Sequence, residues 1–172
     1  MRIFIPLYFA VVTLSAENWP GWRGPNGDGI SNEKIAPKKW SNTKNIAWKK
    51  PIQGKGHSSP IVWGDRVFVT TSLTDQNERR LLCLDRLTGK ILWNNLVVKS
   101  LPESIHRLNS RASGTPATDG RQIYVTFMRA EGKKVIAPNV GSDRMITPGK
   151  IIVAAYNFNG KLNWKSNVGD FV

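Results

Sequence analysis

Apolar residues along this chain come in short runs broken by turn formers, and no stretch repeats them convincingly at the spacing of an amphipathic helix. Arg66-Val67-Phe68-Val69-Thr70-Thr71 is β-branched and aromatic, with Trp63-Gly64-Asp65 before it and the polar stretch 72–79 after it. That pattern predicts a strand between a tight turn and a loop. Pro60-Ile61-Val62 precedes the turn, so residues 58–71 read as a hairpin. Leu81-Leu82-Cys83-Leu84-Asp85 and Lys90-Ile91-Leu92-Trp93 flank Arg86-Leu87-Thr88-Gly89, which predicts a second hairpin closed by a glycine-containing turn. Four short antiparallel strands in about 40 residues make one sheet of the size found in propeller blades.

The pattern then returns. Pro60 to Thr70 aligns without gaps on Pro116 to Thr126, placing Gly64 with Gly120 and Val67-Phe68-Val69-Thr70 with Ile123-Tyr124-Val125-Thr126. The second hairpin repeats as Ala155 to Trp164 against Cys83 to Trp93, one residue shorter in the turn, so Trp93 and Trp164 occupy equivalent places. Within the second copy lies an insertion in 129–150, rich in Gly, Pro and Lys, read as an elongated loop between the second and third strands of its sheet. A third copy of the closing strand alone, Asn45-Ile46-Ala47-Trp48 through Gly54, precedes the first full repeat and reads as an orphan outer strand. The expected fold is all-β: about two four-stranded blades plus that N-terminal strand. Two sheets and one strand fall short of a ring, which needs at least about four blades.

These residues carry a family resemblance. Cys83-Leu84-Asp85-Arg86-Leu87-Thr88-Gly89-Lys90-Ile91-Leu92-Trp93 resembles the tryptophan-docking motif of PQQ-like quinoprotein β-propellers, A-x-D-x-x-T-G-x-x-x-W, with Cys83 in place of Ala. The second copy keeps Ala155, Gly160 and Trp164, has Asn157 for the Asp and lacks the Thr. Trp19-Pro20-Gly21-Trp22-Arg23-Gly24-Pro25 and Gly56-His57-Ser58-Ser59-Pro60 are similar to exported PQQ-like repeat proteins of the planctomycete type. The resemblance implies a partial PQQ-like β-propeller in the quinoprotein alcohol dehydrogenase-like and BamB-like superfamily, whose missing blades would come from further sequence or from self-association. It implies PQQ and calcium only if the full-length protein is a quinoprotein. No residue matches the family's catalytic Asp or calcium ligands, and the docking motif is scaffold, shared with members that bind no quinone.

The N-terminus adds a location. Met1-Arg2, the apolar stretch 3–12 and Thr13-Leu14-Ser15-Ala16 read as an export signal cleaved before Glu17, with a lead-in over 17–44 and blades over 45–172. The apolar stretch is too short to span a bilayer, which takes about 20 residues. The protein is therefore expected in the periplasm or outside the cell. Its single cysteine, Cys83, excludes an intramolecular disulfide.

Charge and side-chain chemistry change this picture little. Lys plus Arg number 25 against 12 for Asp plus Glu, a formal charge of +13, which would favour anionic partners. The basic pairs Lys38-Lys39, Lys49-Lys50, Arg79-Arg80 and Lys133-Lys134 are dispersed, which reads as solvated surface rather than a polyanion stripe. His57 beside Ser58, and His106 near Asn109, are weak binding candidates without an acidic residue at triad spacing. Asn26-Gly27-Asp28-Gly29 reads as a turn, since it lacks the later ligands of a calcium loop. The leading reading is an exported, non-catalytic repeat module that binds or scaffolds a protein or polymer. The alternatives are the N-terminal part of a PQQ-dependent oxidoreductase and an anionic-polymer binder.

Overall fold

The computed structural model describes residues 16–34, 36–138 and 144–171. The first sheet runs in sequence order from β1 (Ile61–Trp63) through β2 (Arg66–Leu73) and β3 (Glu78–Asp85) to β4 (Ile91–Lys99), all antiparallel. The second contains β5 (Ala117–Thr118), β6 (Ile123–Ala130), β9 (Gly149–Tyr156) and β10 (Leu162–Phe171), again in chain order from one edge to the other. The insertion between β6 and β9 carries a small ribbon, β7 (Val135–Ile136) paired with β8 (Met145–Ile146). The result is two four-stranded all-β blades, as the repeat predicts. The expected export signal falls almost wholly on residues 1–15, outside the described ones.

The two blades share one core because period-two alternation sends alternate side chains to opposite faces. Ile123, Val125 and Phe127 of β6, with Ile152, Ala154 and Tyr156 of β9, form one buried face of the second blade. They join a single cluster with Phe68, Leu81, Cys83 and Val97 of the first blade. Ladder partners share a face, so Phe68, Cys83 and Trp93 stand together on the side of blade one turned to blade two. By the same register Tyr124, Ala155 and Trp164 stand on the side of blade two turned away from blade one.

Three expectations need correction. The polar stretch 72–79 is strand at both ends: Ser72 pairs with Arg79 and Leu73 with Glu78, leaving a 3-10 turn at Thr74–Gln76 followed by Asn77. Asn77, at φ 56°, makes so short a reversal possible, since Asn tolerates left-handed backbone. The segment 45–54 forms no strand among the described residues. It is fixed by side chains instead, with Thr71 Oγ1 donating to the Gln53 carbonyl at 2.8 Å and Lys55 bridging Ser72 just beyond it. Finally, Arg79 is not surface: it is fully buried.

The lead-in is also built into the fold. Trp19 exchanges two backbone hydrogen bonds with Val62 on the free edge of β1, and the Pro20 carbonyl accepts from the Thr118 amide of β5 at 2.8 Å. It therefore links the first strands of both blades. Asp28 Oδ1 takes the Ile30 amide at 2.9 Å, which closes the expected turn there.

Candidate functional site

The repeated motif builds a docking joint. In the first turn Asp85 Oδ1 accepts from the Thr88 amide at 2.7 Å and from the Thr88 hydroxyl at 2.6 Å. The hydroxyl bond is the main cause that holds the Asp85 carboxyl below the usual carboxylate range. In the second turn Asn157 Oδ1 takes the Asn159 and Lys161 amides, each at 3.0 Å. The shorter loop therefore closes without a Thr.

Each turn receives an indole. Trp93 Nε1 of blade one donates to the Phe158 carbonyl of blade two at 3.0 Å, and Trp48 Nε1 donates to the equivalent Arg86 carbonyl at 2.8 Å. The rings lie so close that a Cβ on Gly160 would come within 2.9 Å of Trp93, and one on Gly89 within 2.5 Å of Trp48. Both glycines also have positive φ, so the contact and the turn each require glycine. Cys83 sits under Trp93 in the ladder, and Ala155 under Trp164, each beside a one-residue register shift in the outer strand. Burial pushes the Cys83 thiol up to about 11, so it remains a neutral core side chain near pH 7.

Trp164 follows the same rule on the far side of blade two. Its ring centroid lies 6.2 Å from Tyr124 at an interplanar angle of 47°, matching Phe68 and Trp93 at 5.9 Å and 47°. Its indole makes no hydrogen bond among the described residues and is 43% exposed. All ten residues of β10 are exposed, Val168 and Phe171 included. This flank is an edge-strand surface of mixed polarity, with exposed Leu162, Val168 and Phe171 and a docking side chain already posed on it.

The other candidate surface lies at the end of β2, beside the connection that leads from the first blade to the second. A cavity of about 490 Å³ is lined there by Lys55, Ser72, Asp75, His106, Arg107 and Arg111, among others. Beneath it Glu103 Oε2 accepts from Arg79 Nη2 at 2.7 Å, while Arg111 Nε stands 3.3 Å from the same oxygen. Arg111 Nη2 also donates to the Glu103 carbonyl at 2.6 Å. Gly54 lets the 53–55 segment lie against this rung, since a Cβ there would meet the Ser72 carbonyl at 2.5 Å.

The sequence candidates are divided between these places. His106 and Asn109 are exposed and line that cavity; His106 Nδ1 accepts from the Leu108 amide at 3.2 Å. His57 and Ser58 are not brought to them as a pair: both amides bond the Ala112 carbonyl, and Ser58 Oγ accepts from the Thr70 amide at 3.3 Å. Sequence reasoning missed Arg79, Glu103 and Arg111. A signal for Arg79 was present, because period two puts it on the same face of β3 as Leu81 and Cys83.

Among the described residues no group of three or more His, Cys, Asp or Glu is arranged to hold a metal ion. No helix among them is long and apolar enough to cross a membrane. None of the curated proteins compared matches the chain. A family model of PQQ-like repeats, described as outer membrane protein assembly factor BamB, matches residues 39–170, a span that takes in Trp48, both docking turns and both blades. With its two blades and their repeated tryptophan joint inside that match, the chain belongs to this PQQ-like repeat family.

Proposed function

We propose that this protein is a non-catalytic repeat module that works outside the cytoplasm and holds a protein partner against the flank of its second blade that is exposed among the described residues. The observation that carries the reading is Trp164, posed on Tyr124 as Trp93 is posed on Phe68, yet 43% exposed. A side chain set in a docking attitude on an exposed edge strand fits a partner that brings its own turn and apolar face. The family description, which names an assembly factor of the outer membrane, supports a role in protein binding. The apolar stretch 3–12 followed by Ser15-Ala16 supports export.

The motif residues that give the chain its family signature are engaged with one another: Asp85 with Thr88, Trp93 with Phe158, Trp48 with Arg86. They act as joints and leave chemistry to no one of them. Titration of the full chain with PQQ and calcium is expected to give neither a bound-quinone absorbance nor dye reduction with alcohols or sugars. Both signals together would overturn the non-catalytic reading in favour of an oxidoreductase.

A further inference from the structure

We propose that the cavity beside the connection between the blades is an anion site that takes an acidic peptide segment, an inference that rests on the protein-binding reading above. The charge balance beneath it is uneven. Two guanidinium groups share one carboxylate, with side-chain exposures of 0% for Arg79, 8% for Glu103 and 18% for Arg111. One positive charge is thus left over in a poorly solvated place, where an uncompensated charge is costly and a bound anion would offset it.

The polar atoms point the same way. Arg79 Nε and Ser72 Oγ are buried without hydrogen-bond partners, while Arg111 Nε has only its ion-pair contact with Glu103. Ser72 is 1% exposed, lines the cavity and is the ladder partner of Arg79, so both unmet groups stand on one rung. Buried polar groups are nearly always satisfied, and an unmet pair on one rung beside a cavity calls for an occupant.

The lining gives the ligand's class. Lys55, Arg107 and Arg111 face it with Asp75 as the single carboxylate, and a second cavity of about 330 Å³ shares His106 and Arg111 and adds Arg144 together with Glu103, the carboxylate already held by two guanidinium groups. Guanidinium forks match carboxylates. Two cavities that share lining residues offer more room than one small ion needs and suit several residues of a peptide. A polyanionic polymer would call on a continuous basic stripe, whereas Lys38-Lys39, Lys49-Lys50 and Lys133-Lys134 line neither cavity.

Fluorescence anisotropy of labelled hexaglutamate against the full chain at low salt tests this. Saturable binding is expected, weakened at least tenfold by Lys55→Gln with Arg107→Gln, two exposed positions whose change leaves the core alone. Lys38→Gln with Lys39→Gln is expected to leave the affinity unchanged. Equal weakening by both pairs would mean diffuse charge and overturn the site. Binding of heparin without binding of hexaglutamate would overturn it in favour of a polyanion surface. Loss of peptide binding while a partner still crosslinks to β10 removes this site alone; loss of both removes the protein-binding reading as well.

Discussion

Trp164 leans on Tyr124 at the angle, 47°, that Trp93 holds toward Phe68, although only Trp93 has a neighbouring blade to dock on among the described residues. The pose is therefore a property of each blade. Cross-strand neighbours and the register shift beside each indole fix it before any partner arrives. Docking then requires only a turn with a free carbonyl and a glycine.

The Trp93 joint is expected to behave as one unit. Trp93→Phe keeps an aromatic ring but removes the N–H donor to Phe158 and part of the indole's packing, for a loss of about 1–3 kcal/mol. Gly160→Ala puts a Cβ into the indole and a side chain on positive φ, for a loss of about 1–3 kcal/mol. Urea unfolding of the two variants and their double should show a non-additive total. Strict additivity would mean that the ring and the turn are independent.

Acid should weaken the first turn through Asp85. Its carboxyl titrates below its ordinary 3.8 because Thr88 donates to the ionised form. The stabilisation is present above that ordinary value and disappears as pH falls through the lower folded one. Asp119, held down chiefly by the Gln122 amide, adds in the same sense. Asp85→Asn should flatten the stability profile below about pH 4. An unchanged profile would show that the turn carries no charge-dependent support.

Cys83 is expected to resist alkylation. A thiol raised to about 11 and fully buried offers little thiolate at pH 8, so iodoacetamide should label it only through unfolding. The sign is that of a raised acid: its neutral form stabilises the fold below pH 9 and that support is lost as pH rises through about 11. Rapid labelling of the folded chain would contradict the core placement.

Glu103 should be the most sensitive of the three charged residues. Glu103→Gln leaves two buried guanidinium groups facing each other and is expected to cost about 3–5 kcal/mol. Arg111→Met leaves one carboxylate for one guanidinium and should cost less. Thermal unfolding in which Arg111→Met is the worse variant would contradict the charge count.

The repeat, the strand order and the equivalence of Trp93 with Trp164 were legible in the sequence because glycine turns and β-branched runs are local signals. The inward face of β6 was equally legible, from Ile123, Val125 and Phe127 at alternate positions. What escaped is long-range. Residues 45–54 look like a closing strand, but a strand needs a neighbour, and Trp48 is held by its indole alone. Glu103 lies in a connection with no periodicity, and only the fold brings it under Arg79, 24 residues earlier. The pairing of Trp19 with Val62 likewise has no local trace.

Photo-crosslinking from position 166 tests the account's central claim most directly. Ser166 is exposed and shares the outer face of β10 with Trp164, two residues away. A photoreactive residue placed there in the producing cell should give one discrete protein adduct, and Trp164→Ala should abolish it while leaving the chain folded. No adduct, or an adduct indifferent to Trp164→Ala, would contradict the claim that this flank is where the protein binds.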